Sequence, residues 1–101
     1  MGLILSELLP FENGYVLVLD GNDYATLEIL NQTIIDSFDK VCKGDRLVTS
    51  VGIQPRLCQL LGVVAVPTVV IIRNGAISSS MVGISNEQQL LAFIETGVSP
   101  C

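Results

Sequence analysis

The sequence predicts an α/β domain: a central mixed sheet of four or five strands flanked by helices. Three observations lead there. Segments 15–19, 46–51 and 69–72, rich in apolar and β-branched residues, and 77–82, whose central Ser78-Ser79-Ser80 suits an edge strand blunted by polar residues, read as strands. Between the first two of these runs, apolar residues recur at three- and four-residue steps, the period of a helix buried along one stripe. Asn74-Gly75 separates the last two runs, and both residues tolerate the positive φ that a two-residue hairpin turn demands. A chain of 101 residues is one domain, residues 1–101, large enough to bury a core without covalent staples.

The elements follow in order. Residues 3–9 fit a short helix with Leu5, Leu8 and Leu9 on one face, ended by Pro10, or else a short edge strand at Leu3-Ile4-Leu5. Glu12-Asn13-Gly14 is a turn. The unbroken run 15–19 reads as a central strand covered on both faces. Asp20-Gly21-Asn22-Asp23 interrupts it and supplies capping groups for a helix over residues 25–43, whose stripe is Leu27, Leu30, Ile34, Phe38 and Val41. Asp20, Asp23 and Glu28 near its start and Lys40 and Lys43 near its end suit the helix dipole, and Gly44 is placed to terminate it. Residues 55–61 form a short helix after the second strand. Pro67 cannot donate to a ladder, so it marks the start or the edge of the strand that follows. Ser85-Asn86-Glu87-Gln88 has the form of a capping box, and Leu90, Leu91, Phe93 and Ile94 make the inner stripe of a last helix.

Composition narrows the function. Ten acidic residues against five basic ones give a net charge of −5, which repels phosphate backbones and argues against nucleic-acid binding. With no histidine, the commonest general base and the commonest metal ligand are both missing. Cys42, Cys58 and Cys101 form no CxxC or CxxxC pair, so no zinc or cluster framework is readable, and the expectation is no metal and no cofactor. The longest apolar run, 62–72, is too short to span a bilayer and contains Pro67. Residues 1–6 lack the basic start of a leader; they match the loose Met-Gly-x-x-x-Ser acylation pattern, without a polybasic second signal. A cytoplasmic protein with reduced thiols is expected.

The order Gly62, Val66-Pro67-Thr68, Asn74-Gly75, Gly83, Phe93 resembles the C-terminal half of thioredoxin, with Pro55 in the loop before the short helix. The resemblance covers residues 46–97. It implies a thioredoxin-like fold with a cis-proline loop at Val66-Pro67. It does not by itself imply thioredoxin chemistry. That family carries Trp-Cys-Gly-Pro-Cys where the central strand meets the long helix, a thiolate at a helix start with a resolving thiol one turn on. The matching window here is Tyr24-Ala25-Thr26-Leu27-Glu28, and no cysteine precedes Cys42. The family's buried carboxylate and its lysine partner map to Leu19, or Asp20 if the register slips, and to Val48. Dithiol–disulfide exchange of the usual kind is therefore excluded by residue type.

Other chemistry is sparse. Cys58 and Cys42 read as small buried hydrophobes, a one-cysteine thiol enzyme being the alternative, and a Cys42–Cys101 bond is conceivable. Thr26, Ser50 and Ser78-Ser79-Ser80 have hydroxyls but no base to activate them. Asp20, Asp23 and Glu28 could serve as acid and base or hold Mg²⁺, but capping and solubility explain them as well. What the resemblance leaves is a docking face of Tyr24, Ala25, Val66, Pro67, Gly83 and Ile84, where the residue before the proline offers its backbone to an extended partner. The expectation is a redox-inactive binding module for another protein or an extended peptide: an adaptor, assembly chaperone or complex subunit. Some hydrogenase-assembly chaperones are similar in lacking the cysteine pair. The further alternative is a homo-oligomer joined through the edge strand 77–82.

Overall fold

The computed structural model describes residues 5–42, 44–83 and 87–98. In chain order these form α1 (Leu5–Leu8), β1 (Gly14–Leu19), α2 (Tyr24–Leu30), α3 (Gln32–Val41), β2 (Arg46–Ser50), α4 (Pro55–Leu61), β3 (Thr68–Arg73), β4 (Ala76–Val82) and α5 (Glu87–Val98). The strands make one sheet in the order β2-β1-β3-β4. β1 pairs parallel with β2, Leu17 opposite Val48, and antiparallel with β3, Leu17 opposite Val69. The hairpin β3–β4 turns through Asn74 and Gly75 at φ 55° and 77°, and a register irregularity lies beside Ile71 and Ile72.

Two apolar layers sandwich the sheet because successive side chains of a strand point to opposite faces. Tyr15, Leu17, Leu19, Val69 and Ile71 meet Leu27 of α2, Phe38 of α3 and Leu90 of α5 on one face. Val16, Val18, Val70 and Ile72 meet Leu57, Cys58 and Leu61 of α4 on the other, with Leu5 and Leu8 of α1 packed against them. Every residue of β1 from Tyr15 to Leu19 is buried, as a strand covered on both sides requires. Burying each of its Val and Leu side chains contributes roughly 1.5–3 kcal/mol before entropy is counted. Tyr15 meets Phe38 edge to face, centroids 6.3 Å apart.

Several expectations need correction. The single helix expected over 25–43 is two helices broken at Asn31 (φ −122°, ψ 22°). The Asn31 amide donates to the Leu27 carbonyl at 2.7 Å and to the Asp20 carbonyl at 2.8 Å. An asparagine side chain competing for backbone partners inside a helix interrupts it. Leu30, expected on the inner stripe, closes the first of the two helices and is 62% exposed, while Leu27, Ile34, Phe38 and Val41 keep their inward places. The second helix is capped at Cys42 rather than running to Lys43. In α5, Leu90 is buried and Phe93 packs inward, but Leu91 is exposed. The N-terminal element is a helix of four residues; Leu3 and Ile4, the expected capping serine Ser85, Ile84 and Cys101 lie outside the described residues.

Candidate functional site

The Val66–Pro67 peptide is cis and leads directly into β3. Gly83 returns to it at the end of β4, its N–H donating to the Pro67 carbonyl at 2.9 Å. The Thr68 hydroxyl, buried, donates to the Ala65 carbonyl and fixes the bend. Val66 itself is 39% exposed. Neither its N–H nor its carbonyl has a hydrogen-bond partner among the described residues. Helix α1 packs on α4.

Tyr24 and Ala25 open α2, both exposed. Asp23 caps that helix, its carboxylate accepting from the Thr26 N–H at 2.7 Å, and this bond holds the Asp23 carboxyl below the usual carboxylate range. Gly21 has φ 153°, and a Cβ there would lie 2.8 Å from the Leu27 Cα. Only glycine lets α2 begin so close to the end of β1.

Beside the ledge lies a groove that sequence reasoning did not foresee. It is an open cleft of about 560 Å³ lined by Leu19, Asp20, Gly21 and Asn22 after β1, by Ser50, Val51 and Gly52 after β2, and by Val63, Val64, Ala65 and Val66 before the proline. Its position follows from topology. β1 and β2 are parallel neighbours, but the helices that follow them lie on opposite faces of the sheet, so their connections diverge. Such a divergence at the carboxyl ends of parallel strands is where open α/β sheets take ligands. Ser50 ties the two connections together: its buried hydroxyl donates to the Gly21 carbonyl and accepts from the Ile53 N–H at 3.1 Å. Gly52 permits that approach, since a Cβ there would meet Asn22 Oδ1 at 2.8 Å.

Thus the predicted residues fall into three groups. Val66 is on the groove wall, Pro67 and Gly83 are hydrogen-bonded to each other, and Tyr24 and Ala25 begin one residue beyond the groove residue Asn22, after Asp23. Ile84 lies outside the described residues. The missed residues Val63, Val64 and Ala65 were hidden inside a run that reads as core; the one signal against it is Pro67, which separates them from the strand proper.

Compared with solved structures, the chain is similar to thioredoxin of Malassezia sympodialis (Mala s 13), with a TM-score of 0.65, 20% identity and 87% of this chain on 76% of that one. The chain adopts the thioredoxin fold. It is also similar to a designed protein (TM-score 0.60, 13% identity, 89% of this chain, 80% of that one) and to thioredoxin O2 of Arabidopsis thaliana in its oxidized state (0.51, 18%, 83% and 73%). No protein-family model matches the sequence, and no curated protein does either.

Leu19 and Val48, at the places of the family's carboxylate and lysine, belong to one apolar cluster. Cys42 and Cys58 are buried at 3% and 2% exposure, one closing α3 and the other inside α4. Burial pushes the Cys42 thiol up to about 12, with Asp39 adding and Arg46 opposing, and burial raises Cys58 as well. Thiolate character, which reactivity needs, is thereby suppressed in both. Among the described residues, no group of histidine, cysteine or carboxylate side chains is placed to hold a metal ion. None of their helices is long and apolar enough to cross a membrane.

Proposed function

We propose that this chain is a redox-inactive, thioredoxin-like binding module, not an enzyme, that recognises another protein or an extended peptide through the face of Tyr24, Ala25, Val66, Pro67, Gly83 and Ile84. One observation carries the reading: Val66 presents a half-open side chain and, among the described residues, a backbone N–H and carbonyl without a hydrogen-bond partner beside the cis peptide. A strand-like partner needs such groups, since main-chain bonds give affinity and neighbouring pockets give specificity. Tyr24, 53% exposed, adds an aromatic contact of the kind that anchors interfaces. The buried, protonated thiols support an adaptor over a one-cysteine enzyme and suit a reduced cytoplasmic setting.

The test is affinity capture from the native host with wild type against a Tyr24→Ala, Val66→Asp double variant, beside a disulfide-reduction assay on insulin. The reading expects a partner lost with the double variant and no turnover. Appreciable turnover abolished by Cys58→Ser would defeat it.

A second reading rests on β4. This edge strand of seven residues carries no charge and no proline, and Ile77 and Val82 stand exposed on it. The polar run Ser78-Ser79-Ser80 and the register irregularity beside Ser78 blunt it less strongly than a charge or a proline would, which leaves pairing with a copy of itself as the alternative. Sedimentation across a concentration series separates a β4-paired dimer from a monomeric adaptor.

A further inference from the structure

The ledge at Val66 has a neighbour, and the neighbour has a chemical character. The groove's wall and rim hold valines that a folded protein normally hides: Val64 is 90% exposed, Val51 47% and Val66 39%. Three such side chains around one concavity make an apolar receptacle rather than scattered surface residues. A cleft of about 560 Å³ lies within the range of pockets that enclose organic groups, here enough for a large aliphatic or aromatic side chain.

The other wall sets the sign of what lies beside that side chain. Asp20 is exposed on the groove, and its carboxylate accepts no hydrogen bond and forms no ion pair among the described residues. The Asp20 main-chain carbonyl is engaged by Asn31, so the turn that carries this carboxylate is held in place. Asp23 differs, its carboxylate being used to cap α2. Among the described residues no lysine or arginine lines the groove, and the whole chain carries −5. An occupant with a basic group beside its apolar one is complementary; an acidic one is repelled.

We infer that the groove selects, within the extended peptide that docks on Val66, a bulky apolar side chain flanked by a lysine or arginine that pairs with Asp20. This rests on the docking reading above and names its ligand class. The groove takes the apolar anchor between Val51 and Val63–Val66, and the basic residue sits at its Asp20 end. Val66 contributes to both, its backbone to the peptide ladder and its side chain to the groove wall.

The experiment uses the full chain. A random peptide library displayed on phage is panned against it, and synthetic labelled peptides in a Gly/Ser background are titrated by fluorescence polarisation: one with a central leucine followed by arginine, one with alanine for the leucine, one with glutamate for the arginine. Wild type should enrich apolar–basic sequences. Loss of the leucine should weaken binding roughly 10- to 100-fold, the range set by burying one large aliphatic side chain. Asp20→Lys should weaken the arginine peptide and strengthen the glutamate one, each by about five-fold, as an exposed pair allows. Ala65→Phe, at an exposed position on the groove wall, should abolish the leucine preference, with thermal unfolding by circular dichroism confirming the fold.

Enriched peptides that depend on Tyr24 and Val66 but show no apolar–basic preference, or a preference that neither Asp20→Lys nor Ala65→Phe moves, overturn this inference and leave the docking module standing. Failure of wild type to enrich any peptide overturns both. A dimer of wild type that Ala65→Phe dissolves overturns the inference in favour of a second copy as occupant.

Discussion

Ser50 and Thr49 are neighbours on β2, both fully buried, yet removing their hydroxyls should move stability in opposite directions. Ser50→Ala deletes a donor to the Gly21 carbonyl and an acceptor for the Ile53 N–H. Each such bond is worth about 0.5–1.5 kcal/mol net, and a stranded buried partner costs more. Here Ile53 keeps the Ser50 carbonyl at 3.2 Å as a second acceptor, and Gly21 is only half-buried, so water reaches it. The loss should therefore be about 1–2 kcal/mol, a fall of roughly 6–12 °C in Tm for a domain of this size. Thr49 Oγ1 has no partner among the described residues in its buried site. Thr49→Val replaces the hydroxyl with a methyl of like shape and removes an unpaid desolvation, so it should be neutral or stabilising by up to about 1 kcal/mol. With no tryptophan in the chain, urea unfolding is followed by circular dichroism at 222 nm. Ser50→Ala within about 0.5 kcal/mol of wild type, or Thr49→Val losing more than about 1 kcal/mol, would refute the reasoning. Because the Ser50 bonds join the two loops that wall the groove, Ser50→Ala should also weaken leucine-peptide binding, whereas Thr49→Val should not.

Asn31→Ala removes the two amide bonds that staple α2 to the end of β1, and alanine's better helix propensity offsets part of that. A net loss of about 0.5–1.5 kcal/mol is expected in the same unfolding assay, and a gain would be inconsistent with the staple. Cys42 gives a pH dependence of definite sign. Its folded value, about 12, lies above the ordinary 9, so the folded state keeps a proton that the unfolded chain gives up. Its contribution is complete below pH 9 and is lost as pH rises from there towards 12; a Cys42→Ala variant should show a flatter decline over that window. In a Cys101→Ser background at pH 8, a chromogenic disulfide reagent should label neither Cys42 nor Cys58 until denaturant is added, and rapid labelling of the folded protein would contradict their burial.

Local chemistry decided much of this molecule. An unbroken apolar run from Tyr15 to Leu19 can only be a strand with helices on both faces, and Asn74-Gly75 can hardly be other than a hairpin turn. The absence of a thiol near Tyr24 is a statement about residue types that no folding could alter. Periodicity failed where one side chain overrode it: Asn31 prefers the Leu27 and Asp20 carbonyls to helix continuity, and the single helix expected there becomes two. The groove was the tertiary structure's own product. Val51 and Val63–Val66 are apolar on paper, and apolarity predicts burial only when some other element arrives to cover it. Here β1 and β2 send their helices to opposite faces, nothing among the described residues comes between, and the same valines line an open cleft. Which residues are hydrophobic is a property of the chain; which of them find a partner depends on where distant segments are carried by the sheet's connections.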